Sequence, residues 1–246
     1  MSTDFLLSKE NLGEYLSELG KQFRKLYRKK AKAEIILIGG ASVLINYDFR
    51  DSSTDADVII QADASMKEAI NFVRDKYNLP DGWLNEDFKN TKSYSDKLRG
   101  VSVPYRTFSN VVHTRTIAAE YLIAMKLMSG RQYKFDLSDI IGILWDHKKA
   151  GNPIERETIN CAFTELYGQQ PIPDVSKRLL DDAINSGDYE NIYKEVRETE
   201  NQTKEILLDF RQEYPDALNE DNINDIIEQV RRKKVNQRKD TKRFDL

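Results

Sequence analysis

The hydrophobic positions in the first half of the chain change repeatedly between helical and extended spacing. Apolar residues recur every three or four positions over residues 8–29, which predicts an amphipathic helix. Residues 34–38 form a short apolar run that ends at two glycines, as expected of a buried strand. The same reasoning predicts strands over residues 57–61, 101–108 and 111–116, and helices over residues 41–47, 65–77, 118–129 and 135–149.

The pattern past Pro153 is helical throughout, with predicted helices over residues 154–167, 175–185, 188–214 and 222–234. The predicted fold class is therefore α/β (α+β), a mixed sheet with flanking helices followed by an α-helical C-terminal region. The expected domains are residues 1–150, with the N-terminal helix, and residues 151–246, which end in a basic tail.

Composition limits the class of protein. Hydrophobic residues make up 39% and charged residues 32% of the chain, which is typical of a water-soluble protein. No run of 18 apolar residues and no signal-peptide pattern is found, so we expect a cytoplasmic protein without a membrane span. The single cysteine, Cys161, excludes an internal disulfide and is expected to be a buried helix residue. The tail over residues 231–243 is strongly basic, and is either a solvated segment or a nucleic-acid contact.

Candidate chemistry lies around the first two predicted strands. Asp55 and Asp57 are two residues apart, so in an extended segment both carboxylates project from one face. They would repel each other unless a cation such as Mg²⁺ lay between them. Gly39 and Gly40 allow the backbone to approach a phosphate, the helix that follows would point N–H groups at it, and Ser42 adds a hydroxyl donor.

A strand, Gly-Gly-x-Ser, a spacer and Asp-x-Asp on the next strand together resemble the signature of the nucleotidyltransferase superfold, the DNA polymerase β-like fold. The resemblance implies that Asp55 and Asp57 are catalytic and bind Mg²⁺. It also implies that the glycines, Ser42 and Ser53 bind the nucleotide. Members of that superfold usually carry a third carboxylate on a later strand, whereas residues 99–119 contain no Asp or Glu.

A second motif, over residues 120–140, is similar to the Glu-x5-Lys-x4-Arg-x4-Asp-x2-Asp pattern of the bacterial AbiEii-like abortive-infection nucleotidyltransferases, which lack the third carboxylate. Lys126, Arg131, Asp136 and Asp139 stand at matching positions. The resemblance implies that Lys126 and Asp136 are catalytic and that Arg131 binds nucleotide. Asp136 would either pair with Lys126 or accept the proton of an attacking hydroxyl. Without the motif, Lys126 reads as a helix lysine whose stem packs on apolar neighbours and Asp136 as a helix N-cap.

The leading hypothesis is a Mg²⁺-dependent nucleotidyltransferase. It would move a nucleoside monophosphate from an NTP to a hydroxyl of RNA, tRNA included, or of a protein. The resemblance implies the toxin-type component of a toxin–antitoxin or phage-defence system, with a cognate antitoxin protein as a partner. The alternatives are a non-catalytic binding partner or antitoxin with this fold, and a small-molecule nucleotidyltransferase. The sequence leaves open the NTP, the acceptor and the oligomeric state.

Overall fold

The computed structural model describes residues 5–27 and 32–214, together with positions 217, 223, 226, 227 and 229. The basic tail over residues 231–243 lies outside this part, as does most of the helix predicted over residues 222–234. In the part described, no helix has the length and apolar character needed to cross a membrane.

Five strands form one mixed sheet: β1 (Ala33–Leu37), β2 (Ala56–Gln61), β3 (Leu84–Asn85), β4 (Ser102–Phe108) and β5 (Val112–Ile117). Their order across the sheet is β3-β2-β1-β5-β4. The central strand β1 runs antiparallel to β2 and parallel to β5. This places the start of β2 beside the end of β1, where the glycine pair follows.

Helices flank the sheet and fill the second half of the chain: α1 (Lys9–Tyr27), α2 (Gly39–Asn46), α3 (Ser65–Tyr77), α4 (Ala119–Ser129), α5 (Asp136–Lys149), α6 (Arg156–Tyr167), α7 (Asp174–Ser186) and α8 (Tyr189–Glu213). The predicted fold class, a mixed sheet with flanking helices and a helical C-terminal region, is confirmed. The boundary at residue 150 stays a prediction.

The sheet separates two apolar layers, because successive residues of β1 face opposite sides. Ile35 and Leu37 pack into a cluster with side chains of α1 and α3. Ile36 and Ile38 pack into the other cluster, with side chains of α4 to α7. Each fully buried aliphatic side chain of this kind contributes about 1.5–3 kcal/mol. The buried face of α4 is therefore fixed against the sheet, next to α2, whose Val43 belongs to the same cluster.

Three details differ from the sequence-based expectations. Helix α2 begins at Gly39, so the two glycines form its first turn and do not precede it. The short strand β3 was not predicted, and it pairs with the first residues of β2. Cys161 is exposed on α6, not buried, so that prediction was wrong. A small side chain on an amphipathic helix can face either way, and spacing alone did not decide it.

Candidate active site

The acidic pair, Asp55 and Asp57, lies at the entry to β2, next to the first turn of α2. The backbone N–H of Ile38 donates to the carbonyl of Asp57 at 2.9 Å, which ties the two segments together. A Cβ atom placed on Gly39 would lie 3.6 Å from Oδ2 of Asp57, and Gly39 has a φ of 53°. Because this left-handed conformation is costly for a residue with a side chain, a glycine suits this position. The expected closeness of the glycines and the acidic pair is confirmed.

The acidic pair has no neutralising partner in direct contact within the described residues. Burial, and after it the negative charge of Asp55, raise the pKa of Asp57 to about 6. The charges of Lys134, Arg131 and Lys126 act in the opposite direction, so all three cations lie within electrostatic range of Asp57. A cation between the two carboxylates would relieve the repulsion.

The donor set suits a hard divalent ion that shares its ligands with a substrate. Within the described residues no group of three or more His, Cys, Asp or Glu side chains is placed to hold a metal. Two carboxylates are nevertheless what Mg²⁺ uses when phosphate oxygens and water complete its octahedral shell. The residues present therefore fit Mg²⁺ bound together with a nucleotide.

A buried ion network faces the acidic pair from α4, α5 and the loops beside them. It consists of Lys126, Asp136, Asp139, Arg131 and Arg50. The ammonium of Lys126 lies 2.7 Å from Oδ1 of Asp136 and 2.9 Å from Oδ2 of Asp139. Arg131 Nε donates to Oδ2 of Asp136 at 2.8 Å, and Arg50 pairs with Asp139. Both aspartates are fully buried, and three cations surround these two anions, which leaves the network with one excess positive charge.

The sequence left two roles open for Asp136, pairing with Lys126 and accepting the proton of an attacking hydroxyl. The geometry favours the first role. Burial opposes its ionisation, but the charges of Lys126 and Arg131 outweigh that effect and hold the pKa of Asp136 well below its usual range. The hydroxyl of Ser129 also donates to it, at 2.7 Å. A carboxylate with so low a pKa and such full hydrogen bonding is a poor proton acceptor. In this structure Asp136 therefore holds Lys126 and Arg131 in ion pairs.

The acidic pair and the ion network, except for the buried Asp139, line one cleft of about 550 Å³. Its acidic side chains are Asp55, Asp57 and Asp136, and six cationic ones face them: Arg50, Lys126, Arg131, Lys134, Lys204 and Arg211. Lys134, Lys204 and Arg211 have no ion pair within the described part of the chain. The cleft therefore carries excess positive charge around an acidic centre, which suits a polyphosphate.

Helix α8 supplies the wall opposite the acidic pair, a role that the sequence analysis did not predict. Lys204, Leu207, Leu208 and Arg211 all line the cleft from this helix. They lie three, four and seven positions apart and so share one face. The guanidinium of Arg197, two turns before Lys204, lies 3.4 Å from the ring centroid of Phe135, which fastens α8 over the start of α5. The helical spacing of apolar residues predicted that α8 exists, but it did not predict that α8 forms a wall of this cleft.

Most of the predicted site residues meet in this cleft. Gly40, Ser53, Asp55, Asp57, Lys126, Arg131 and Asp136 all line it, and Gly39 lies beside Asp57. Arg50, which the sequence analysis missed, joins them: a Cβ on Gly40 would lie 2.8 Å from Nη2 of Arg50 and 2.8 Å from Oγ of Ser53. In the sequence, Arg50 is a single arginine in a polar loop, and that pattern does not indicate a role in a site.

Ser42 is not brought to the cleft. It is fully buried, its hydroxyl is hydrogen-bonded to Thr116, and it accepts a hydrogen bond from Ile117 N at 3.3 Å. One turn of helix separates it from the glycines, and that turn points its side chain at β5. The structure thus places Ser42 between α2 and β5, where it can hold the two elements together but not touch a ligand in the cleft.

Residues 14–144 match a family model described as "Nucleotidyltransferase of unknown function" (DUF6036). The match includes the acidic pair and the whole α4–α5 motif, and covers more than half of the chain. The chain belongs to this family. No curated protein and no solved structure matches it. The match supports a nucleotidyltransferase-type domain, and α8, which closes the cleft, lies beyond the matched residues.

Proposed function

We propose that the protein is a Mg²⁺-dependent nucleotidyltransferase that moves a nucleoside monophosphate from an NTP to a hydroxyl group. One observation carries the proposal. Two carboxylates without a neutralising partner face an excess of cations across a single cleft. A metal–triphosphate complex has the complementary charge pattern, with its cation for the acidic pair and its phosphates for the basic side chains.

Each residue then has a role that its position allows. Asp55 and Asp57 would hold Mg²⁺, which supplies charge neutralisation at the phosphate oxygens. The first turn of α2 presents backbone N–H groups beside Asp57, suited to a phosphate. Lys126 and Arg131, fixed by Asp136, and Lys134, which has no ion pair within the described residues, would neutralise the departing pyrophosphate. The acceptor hydroxyl would attack the α-phosphorus and give up its proton to solvent, a new O–P bond would form, and the bond to pyrophosphate would break. Catalysis is mainly positioning and charge stabilisation.

The acceptor is proposed to be a hydroxyl of RNA, tRNA included, or of a protein. The three cleft cations without an ion pair favour a negatively charged acceptor. A role as the toxin of a toxin–antitoxin or phage-defence pair, with an antitoxin protein as partner, rests on the resemblance of the α4–α5 motif alone. Transfer to a small molecule ranks lower, since such enzymes ordinarily use a strand carboxylate as base.

One observation favours a second function, nucleotide binding without transfer. Strands β4 and β5 carry no Asp or Glu, and Asp136 is held in ion pairs. A non-catalytic partner or antitoxin with this fold would bind Mg²⁺–NTP in the same cleft and leave the NTP intact. Binding alone therefore does not distinguish the two functions.

The test measures transfer and binding separately. The protein is incubated with each α-labelled NTP, Mg²⁺, total tRNA and cell lysate, and label transfer is followed on gels. Calorimetry measures NTP affinity with and without Mg²⁺ for the wild type, Asp55→Asn and Asp57→Asn. Asp63→Asn, which removes an exposed carboxylate just after the same strand, is the matched control.

We expect label transfer by the wild type and Asp63→Asn, and a loss of at least about 100-fold in both cleft variants. Tight Mg²⁺-dependent binding without any transfer would support the non-catalytic function. Equal Mg²⁺-dependent affinity in all four proteins would contradict the site itself.

A further inference from the structure

Glu200 is a buried carboxyl group that the proposed chemistry does not use. It lies on α8 with 2% of its surface exposed. Its Oε1 accepts hydrogen bonds from the backbone N–H groups of Leu137 at 2.9 Å and Ser138 at 3.3 Å, in the first turn of α5. These are N–H groups that a helix cannot satisfy internally. A side chain from α8 thus caps the helix that carries Asp136 and Asp139.

The second oxygen of Glu200 has no such partner. Both hydrogen bonds go to Oε1, while Oε2 is buried and unpartnered within the described structure. Asp139 shows the same asymmetry, because its Oδ2 binds Lys126 and Arg50 while its Oδ1 is buried and unpartnered. Two buried carboxyl oxygens without donors are costly, and a single proton on one of the groups turns an acceptor into a donor.

We propose that Glu200 is a positioning residue that works in its protonated form, with its O–H directed to the free oxygen of Asp139. Protonated, Glu200 keeps Oε1 as the acceptor for the α5 N–H groups and uses Oε2 as a donor. Asp139 is then fixed at both oxygens, and through it Lys126 and Arg50 are held at the cleft. Only the expected effect of Glu200 on nucleotide transfer rests on the proposed function. The protonation state of Glu200 can be measured without any activity.

The surrounding charges agree with this assignment. Burial raises the pKa of Glu200 to about 8, with a further contribution from Asp139, against the hydrogen bonds from Ser138 and Leu137. From α8 itself, Arg197 donates to the hydroxyl of Ser138, Lys204 lies 5.9 Å from the Phe135 ring, and Tyr193 has its pKa raised, chiefly by burial. None of these side chains forms an ion pair with Glu200 in the described structure.

Loss of the proton would place a second negative charge beside Asp139. The stability effect has a definite sign. Between the ordinary glutamate pKa and about pH 8 the folded protein binds a proton that the unfolded chain has lost, so stability from this group falls as pH rises. Above about pH 8 Glu200 is ionised in both the folded and the unfolded protein, so its contribution to stability no longer changes with pH.

The experiment compares Glu200→Gln, Glu200→Ala and the control Glu195→Gln, an exposed glutamate on the same helix. Glutamine reproduces the protonated group, with one acceptor and one donor, but cannot ionise. We expect the melting temperature of Glu200→Gln minus that of the wild type to rise by more than about 2 °C between pH 5 and pH 8.5. Glu195→Gln should show no such trend, and Glu200→Ala should melt lower at both pH values. In ¹³C-carboxyl NMR, one glutamate signal should titrate near pH 8 and be absent from Glu200→Gln.

Transfer activity gives the functional readout. Wild-type transfer should fall above pH 8, whereas Glu200→Gln should keep its rate there. A Glu200 carboxyl signal that titrates between pH 4 and 5 would overturn the proposal, as would parallel pH profiles of melting for wild type and Glu200→Gln. Because NMR and melting need no substrate, the proposal can hold or fail even if no transfer is ever detected.

Discussion

Two pairs of aspartates lie at the cleft or just behind its wall, in opposite electrostatic situations. Asp55 and Asp57 on the β2 side have no ion pair within the described structure, and the pKa of Asp57 is raised to about 6, first by burial and then by Asp55. Asp136 and Asp139 on α5 are more deeply buried, yet three cations surround them, and the pKa of Asp136 is lowered. Burial penalises charge in both pairs, so the difference lies in the bound cations.

This contrast distinguishes the β2 pair, which is the proposed metal-binding site, from the α5 pair, which holds cationic side chains in place. The α5 pair is already neutralised by the protein's own side chains, so it gains nothing from a metal. The β2 pair lacks an internal counter-charge and gains most from a cation supplied with a ligand. The cations around the α5 pair are held rigidly enough to meet phosphates at the same cleft. The three predictions below test this contrast, beginning with the largest expected effect.

Removing Lys126 should damage the α5 pair most. Lys126→Ala leaves Asp136 and Asp139 buried with one cation each, so the free energy of unfolding should fall by about 3–5 kcal/mol. Transfer should fall by roughly 100-fold or more, because a fixed charge at the phosphates is lost. Lys126→Arg should restore transfer only in part, since a planar fork does not reproduce a point charge. Urea denaturation and the label-transfer assay measure the two effects.

Lys134→Ala is the matched control, because Lys134 lines the same cleft but has no ion pair within the described residues. Its effect on unfolding should stay within about 0.5 kcal/mol. Similar stability of Lys126→Ala and Lys134→Ala would contradict the view that Lys126 supports the α5 pair.

The same contrast explains what could be predicted from the sequence. Four of the five strands of the described sheet, the glycine pair and Asp55–Asp57 could be located because each is a local signal whose meaning depends on spacing within a few residues. The pairing of Lys126 with Asp136 was one of the two roles for Asp136 that the sequence analysis left open. Arg50 and Glu200 were missed because each contacts α5 across a large sequence separation, 89 residues between Arg50 and Asp139 and 63 between Leu137 and Glu200. Ser42 was expected to bind the nucleotide but lies between α2 and β5. The first residue of α2 and the rotation of that helix decide where the side chain points, and spacing alone does not give them.

The raised pKa of Asp57 in the β2 pair should make the free energy of unfolding depend on pH. The folded pKa of Asp57 is about 6 and lies above the ordinary value of 3.8. Between these values the folded protein holds a proton that the unfolded chain has lost, so stability should fall as pH rises from about 4 to 6. The expected change is roughly 1–3 kcal/mol, after allowance for partial solvent screening. The pKa of Asp136 is shifted the other way, and its effect lies below this window.

Asp57→Asn should remove the part of this decrease that Asp57 causes and leave the part that comes from Glu200, which continues to about pH 8. Asp63→Asn should retain both parts. Mg²⁺ at pH 7 should stabilise the wild type more than at pH 4.5, because the ion competes with the proton for the same carboxylates. Thermal melts at fixed ionic strength with and without Mg²⁺ provide the measurement. If Mg²⁺ stabilised Asp57→Asn as much as the wild type, the ion would bind elsewhere.

The smallest effect on stability is expected at the α8 wall, where the cations form no ion pair within the described residues. Lys204 and Arg211 lie seven residues apart on the cleft-facing side of α8 and have no ion pair within the described structure. Lys204→Ala and Arg211→Ala should therefore change the free energy of unfolding by no more than about 0.5 kcal/mol. If the acceptor is RNA, each change should lower its affinity and reduce the slope of log affinity against log salt by about one.

Lys194→Ala is the control for this last prediction, since Lys194 is exposed on α8, pairs with Glu190 and does not line the cleft. Its salt slope should equal that of the wild type. NTP affinity should change little in Lys204→Ala and Arg211→Ala, because in the proposed function Lys126 and Arg131 would hold the phosphates. A deletion of residues 231–246 separates the predicted contribution of the basic tail to RNA binding from that of α8. If the α8 variants kept the wild-type slope in the shortened chain as well, this wall would not contact RNA. A protein hydroxyl would then become the favoured acceptor.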